Sequence, residues 1–247
     1  PDCHLIHGDM TDHAAVLDAV DSTQPWEIYN LAAQSFVGKS WQMPEYTANV
    51  NYLGLQRILE AVRACKLTER TKIYQASTSE MFGSATAPQS EATPMIPRSP
   101  YGVSKLAAHA LARNYRESYG LFVACGILFN HESYRRPEHF LTQKVAKGAA
   151  MIARGGQKTL KLGNLDAVRD WGWAPDYVWA MSEMLLQKEP MDLVIGTGEA
   201  HSVKEFVEVA FWRAGLGDWK KYVEIDEALV RPVDVPVLRA NTAKAYH

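Results

Sequence analysis

Between residues 72 and 129 the chain reads KIYQASTSE (72–80), then a helical pattern GVSKLAAHALARNYRESY (102–119), then the apolar run LFVACGILF (121–129). This order decides the fold. The run at 121–129 is uncharged and too short to cross a bilayer, which takes about 20 apolar residues. It suits a strand buried on both faces. Residues 72–76 form a second strand, and a helix lies between the two. Strand, helix, strand in that order makes a parallel pair with a crossover. Working outward, residues 4–7 read as a strand ending at Gly8-Asp9. Thr11 or Asp12 is placed to cap a helix running to about Val20. Residues 26–32 read as another strand. Residues 45–65 read as one long helix with Val50, Leu53, Ile58, Leu59 and Val62 along one side. The fold class is α/β, a doubly wound parallel sheet. After Asn130 the pattern changes to short apolar pieces, the corner Gly155-Gly156, and Trp171, Trp173 and Trp179, which predict a smaller α+β region.

Composition bounds the function. The 247 residues carry 26 Lys+Arg and 28 Asp+Glu, a formal charge of −2, with 47% hydrophobic and 22% charged residues. These values exclude disorder and fibrous chains. A nucleic-acid partner is not expected, because its electrostatic footprint is a basic stripe. Cys3, Cys65 and Cys125 are too few and too scattered for a disulfide framework or a zinc site. They read as reduced thiols of a cytoplasmic protein, with no metal and no membrane partner expected.

In parallel sheets of this kind, ligands sit outside the carboxyl ends of the strands. Asp9, Gln34-Ser35, Ser77-Thr78-Ser79-Glu80 and Asn130-His131-Glu132 fall at four such ends. Downstream of the third stands Tyr101-x-x-x-Lys105. Residues four apart share a helix face. A phenol with pKa about 10 is a poor base at neutral pH, and a neighbouring cation lowers an acid by roughly 1–3 units. The pair therefore suits general acid–base chemistry. Alone it occurs by chance in any protein of this length. A strand-end hydroxyl and the Glu80 carboxylate beside it make the group more specific.

Together these residues resemble the active site of the extended short-chain dehydrogenase/reductase superfamily. Longer blocks narrow the resemblance. Tyr29-Asn30-Leu31-Ala32-Ala33-Gln34-Ser35, Pro97-Arg98-Ser99-Pro100-Tyr101-Gly102, Asn130-His131-Glu132-Ser133, Gly163-Asn164-Leu165-Asp166 and Arg169-Asp170-Trp171 stand in family order along the whole chain. They look like the signature blocks of the GDP-mannose 4,6-dehydratase family.

The resemblance implies a Rossmann-like fold, a GDP-mannose substrate, a retained NADP cofactor and a homo-oligomer, dimer or tetramer. It implies that Tyr101 takes the C4 hydroxyl proton, Lys105 holds Tyr101 acidic and binds the nicotinamide ribose, and Thr78 bonds the C4 oxygen. Glu80 would remove the C5 proton. Asp9, Met10, Leu31, Ala32, Ala33, Gln34, Ser35 and Tyr46 would line the cofactor. His131 and Arg136 would also touch it, Arg136 from a loop that in the family reaches a neighbouring subunit. Asn130, Lys144, Leu162, Asn164, Arg169 and Arg231 would hold the sugar nucleotide, the two arginines as diphosphate partners. The implied domains are a partial dinucleotide-binding domain at 1–132, to which 174–190 returns, and a substrate-binding region at 133–173 and 191–247.

The departures are specific. No Gly-rich turn precedes His4, although a dinucleotide fold uses one to meet the pyrophosphate. The chain is therefore expected to lack the first βαβ unit. Tyr134 stands where the family has Pro, Pro137-Glu138 replaces a Gly-containing turn, and Asp234 replaces Glu. The alternatives are another sugar-nucleotide dehydratase or epimerase of the superfamily, or a catalytically incompetent truncated subunit. Glu80 beside Thr78 favours dehydration, because a simple epimerase needs no C5 base.

Overall fold

The computed structural model describes residues 3–246. Asp12 caps helix α1 (His13–Thr23) by accepting from Ala14 N and Ala15 N. Strand β1 (Glu27–Asn30) follows. Helices α2 (Pro44–Ala48) and α3 (Gly54–Ala64) are joined by a π turn, Asn49–Leu53. The single helix predicted for 45–65 is thus interrupted, and the wider turn drives Asn51 inward to Ser104 Oγ at 3.1 Å and to the backbone of Gln34. Strand β2 (Lys72–Thr78), helix α4 (Pro100–Tyr119) and strand β3 (Phe122–Leu128) reproduce the strand–helix–strand unit. The remaining elements are β4 (Asn130–Glu132), α5 (Leu141–Ala153), β5 (Leu160–Leu162), β6 (Val168–Arg169), β7 (Trp171–Trp173), α6 (Ala174–Leu186), β8 (Asp192–Ile195), β9 (His201–Ser202), α7 (Val203–Arg213), β10 (Val223–Ile225) and β11 (Val237–Leu238), with short 3-10 turns between some of them.

The main sheet runs β1-β2-β3-β8, every pair parallel. One face packs Ile73, Val123 and Cys125 under Leu55, Leu59 and Val62 of α3 and Ala108 and Ala112 of α4. The other packs Tyr74, Ala76 and Ala124 under Tyr177, Met181 and Leu185 of α6. Each fully buried large aliphatic contributes about 1.5–3 kcal/mol. A separate core joins α5 and α7 through Val145, Leu160, Leu162, Val207 and Phe211. The chain is an α/β Rossmann-like parallel sheet with an added α+β region.

Three expectations are corrected. Residues 4–7 form no strand; Leu5 and Ile6 are 81% and 52% exposed, and a ladder needs a partner that no described strand supplies. Residues 192–195, expected in the substrate-binding region, pair with β3 in the main sheet. Residues 130–132, expected in the dinucleotide domain, pair instead with β7. Among the described residues, no helix is long and apolar enough to cross a membrane.

Candidate active site

The site begins where β2 ends and α4 starts. Ser99 caps α4, its hydroxyl accepting from Gly102 N at 3.0 Å, and Pro100 stands in the first turn. This brings Tyr101 and Lys105 onto one buried face of α4. A Cβ added at Gly102 would lie 2.8 Å from Glu80 O, so glycine lets α4 approach the Glu80 turn. Thr78 closes β2, and its hydroxyl accepts from Glu80 N at 3.3 Å, capping the turn that presents Glu80.

Burial pushes the Tyr101 phenol up to about 12; the Thr78 hydroxyl and the Arg136 charge pull it down, and Glu80 pushes it up. Burial pulls Lys105 down to about 8. Its ammonium turns to the Ala76 carbonyl at 2.9 Å.

A second corner faces Glu80. Arg231 Nη1 lies 3.4 Å from Glu80 Oε1 and 3.7 Å from Asp234 Oδ1. Asp234 also accepts from Arg169 Nη2 at 3.2 Å and from Asn164 Nδ2 at 2.9 Å. Arg169 is only 8% exposed at its side chain, and its Nη1 donates to Val168 O and Val235 O. Arg231, at 31%, is the guanidinium open to an incoming anion. Lys144, on α5, is pulled down by burial and pushed up by Asp226. Asn130 accepts from Tyr177 Oη through its carbonyl at 3.3 Å, which leaves its side chain uncommitted among the described residues. Leu162 does not face the opening. Its side chain belongs to the α5–α7 core and its carbonyl accepts from Asp226 N, because β5 is covered on its inner face.

The expected cofactor residues divide. Arg136 comes close enough to act on Tyr101, pairs with Glu132 at 3.3 Å and stacks on Phe140. It lies against its own chain's site. His131 Nδ1 donates to Phe129 O at 3.0 Å and stacks on Tyr177; burial keeps its imidazole below its ordinary range. Gln34 is pinned by Asn51 and Thr47, which shapes residues 31–35, and Leu31, Ala32 and Ser35 are exposed. Tyr46 is also exposed, on α2. Asp9 and Met10 lie apart from the acid–base group. Asp9 closes a turn, accepting from Thr11 N and Oγ1, which holds its carboxyl below the usual range, while Met10 packs against Gly54.

Asp234, marked in the sequence only as standing where the family has Glu, organises the arginine corner, and its contacts with Arg169 and Asn164, 65 and 70 residues away, give no sequence signal. Asp170 is buried and accepts from Thr197 N, Thr197 Oγ1, Gly198 N and Ala240 N, tying the loop after β8 to the second region. Of the tryptophans, Trp171 packs on Phe206, while Trp173 and Trp179 are exposed. A groove of about 780 Å³ beside Arg239, His201 and Thr86 lies elsewhere and contains none of the expected residues.

The sequence profile described as GDP-mannose 4,6 dehydratase matches residues 1–247. GDP-mannose 4,6 dehydratase 2 of Arabidopsis thaliana is 52% identical over 243 residues, 98% of this chain and 65% of that protein. The human GDP-mannose 4,6 dehydratase is 46% identical over 98% of this chain and 69% of its own length. The chain spans about two thirds of these curated relatives. Among solved structures, the Thermus thermophilus UDP-glucose 4-epimerase complex with NAD superposes with a TM-score of 0.83 at 28% identity, covering 98% of this chain and 77% of that one. MoeE5 in complex with UDP-glucose and NAD does so with 0.83 at 26%, covering 97% and 77%. The expectation of NADP is corrected on this point, since both neighbours hold NAD.

Proposed function

We propose that this chain, which belongs to the GDP-mannose 4,6-dehydratase family, supplies the acid–base and sugar-nucleotide-binding groups of a GDP-mannose 4,6-dehydratase that works with NAD. The observation that carries the reading is the grouping of Thr78, Glu80 and Tyr101 at one strand end, with Arg231 opposite Glu80.

The chain's residues fit a nicotinamide dinucleotide. Lys105 makes one hydrogen bond among the described residues, to Ala76 O, and keeps donors for a ribose diol. When bound, the cofactor would supply removal of hydride from C4 and its return to C6. Tyr101 takes the proton from the C4 hydroxyl, and Thr78 holds that oxygen. A ketone at C4 acidifies the C5 hydrogen, which brings it within reach of a carboxylate. Glu80 removes that proton and delivers it to the departing C6 hydroxyl, which leaves as water; the proton that returns to C5 is balanced by the one Tyr101 took from the C4 hydroxyl and gives up. Arg231 moves from Glu80 to the diphosphate, the stronger bidentate acceptor. The redox change is zero overall. On this reading the dinucleotide half comprises 13–128 and 174–195, and the sugar-nucleotide half is the layer of α5 and α7 with the Arg231 segment.

The test is mass spectrometry of GDP-mannose incubated with the protein and NAD. Loss of one water with no net consumption of NAD supports the reading. Epimerisation without mass change, or an unaltered substrate with cofactor bound, overturns it.

A further inference from the structure

Tyr101, Lys105 and His109 stand on successive turns of one face of α4. Each faces a different one of three consecutive residues of β2. Tyr101 faces the Thr78 hydroxyl, Lys105 donates to Ala76 O at 2.9 Å, and His109 Nδ1 meets Ser77 Oγ at 2.9 Å. The first two contacts belong to the acid–base group. The third lies beneath it, at residues only 4% and 3% exposed, too deep to touch a substrate.

The surroundings of His109 define what it does. From β8, Asp192 Oδ2 lies 3.7 Å from Nε2, and Asp192 Oδ1 accepts from Arg116 Nη2 at 2.7 Å. From β3 comes the buried Cys125 thiol, and from α4 itself the charges of Arg113 and Arg116. The carboxylate favours the imidazole proton on Nε2, so Nδ1 accepts from the Ser77 hydroxyl. Donor atoms of His109, Cys125 and Asp192 all lie within 4.8 Å of one another, a spacing that invites a divalent cation. Two facts argue against that use. Arg116 already neutralises Asp192, and burial holds Cys125 as the thiol rather than the thiolate a metal takes. The cluster is a satisfied polar rivet between a helix and a strand.

We propose that His109 is a positioning residue which, through Ser77, sets the register of α4 on β2 and so keeps Lys105 Nζ and the Tyr101 phenol at their stations. The consequence for turnover rests on the dehydratase reading above; the rivet itself does not. A displacement of about 1 Å in a reacting group costs on the order of 100-fold in rate.

The experiment compares His109→Phe, which keeps the ring without its nitrogens, with His109→Asn, whose amide oxygen can accept from Ser77. Two readouts are taken. Competitive acetylation, quantified on the Lys105 peptide across pH, titrates Lys105 without any turnover. Steady-state dehydration of GDP-mannose gives kcat and KM. In the unaltered protein Lys105 titrates near 8. His109→Phe is expected to move it toward the ordinary lysine range of about 10.4, and to lower kcat roughly 10–100-fold with KM within about twofold. His109→Asn restores both. Ser77→Ala removes the bond from the strand side and must reproduce the Lys105 shift, which covers the case of a poorly folded His109→Phe. Unchanged Lys105 titration in both His109→Phe and Ser77→Ala overturns the proposal, as does a shift that His109→Asn fails to reverse. An unaltered protein that leaves GDP-mannose intact, with the Lys105 shift still present in the variants, supports the rivet and sinks the dehydratase reading alone.

Discussion

Two corners of the site are built by opposite means. Thr78, Glu80, Tyr101 and Lys105 come from one strand end and the helix that follows it, and Tyr101, Lys105 and Thr78 are buried. Asn164, Arg169, Arg231 and Asp234 come from segments 62–70 residues apart in sequence, held by one shared carboxylate. The first corner is rigid because main-chain ladders and a helix carry it. The second depends on Asp234, and Arg231 within it stays half-open to solvent. Precise geometry is needed where protons move, and adjustable reach is enough where a diphosphate is caught.

The largest effect that tests this contrast comes from Glu80→Gln. The change removes the proposed base while keeping its size and its capped turn. The dehydration rate should fall about 10²–10⁴-fold, with solvent deuterium no longer entering C5 and the melting temperature held. Deuterium appearing at C5 at the unaltered rate would remove Glu80 from its role.

Next in size is Lys105→Met, which separates activity from stability. Lys105 titrates near 8 in the fold against 10.5 when unburied. Below pH 8 both states carry the proton and the buried charge destabilises the fold in full. Between about 8 and 10.5 only the unfolded chain stays protonated, so stability rises with pH. The full cost is about 3 kcal/mol. Methionine removes the charge, and Ala76 O keeps the Gln75 Nε2 donor at 3.1 Å. The variant should lose turnover yet unfold at higher urea at pH 7, by up to about 3 kcal/mol, with the advantage shrinking as pH climbs past 8. A variant less stable at pH 7 would mean that packing, not desolvation, governs this residue.

These two corners also differ in how legible they were. Residues 72–129 declare a parallel unit because apolar runs and a helical pattern alternate, and the acid–base group falls within the same stretch. Residues 4–7 read as a strand because Leu5 and Ile6 are apolar, but pairing is not local information and no described strand meets them. β8 is only four residues long after Pro190, so its place beside β3 shows only in three dimensions. The π turn at 49–53 leaves the hydrophobic period almost intact and is equally silent. Arg169 and Arg231 are expected as diphosphate partners only through the family resemblance. Their unequal exposure is not legible there, because it depends on Asp234 and on the carbonyls of Val168 and Val235.

Asp234→Asn addresses the second corner at its hub. It keeps the shape but removes the charge that faces two guanidiniums, and its single amide oxygen cannot accept from both Arg169 and Asn164. Leaving Arg169 buried against a neutral partner should cost about 1–3 kcal/mol in urea unfolding. The binding of GDP, followed by calorimetry, should weaken by about tenfold while Lys105 keeps its titration near 8. A shift of Lys105 in this variant would show that the corners are coupled, and the contrast between them would fail.

The smallest expected effect is also the most selective. Arg231→Lys keeps a cation 31% exposed on a segment that contributes no strand to the main sheet, so stability should stay within about 0.5 kcal/mol. Lysine is a point charge and cannot form two parallel bonds to a diphosphate, so KM for GDP-mannose should rise about 3–10-fold. The kcat should hold, because Glu80 remains free to act once the nucleotide is bound. The same change at Arg169 should behave differently. Its Nη1 bridges two carbonyls in the interior, and lysine leaves one of them unpaired, so Arg169→Lys should unfold about 1–3 kcal/mol more easily. If the two substitutions instead gave the same loss of affinity and the same stability, Arg169 and Arg231 would be equivalent ligands of the diphosphate, and the division of this corner into a structural and a reaching arginine would be wrong.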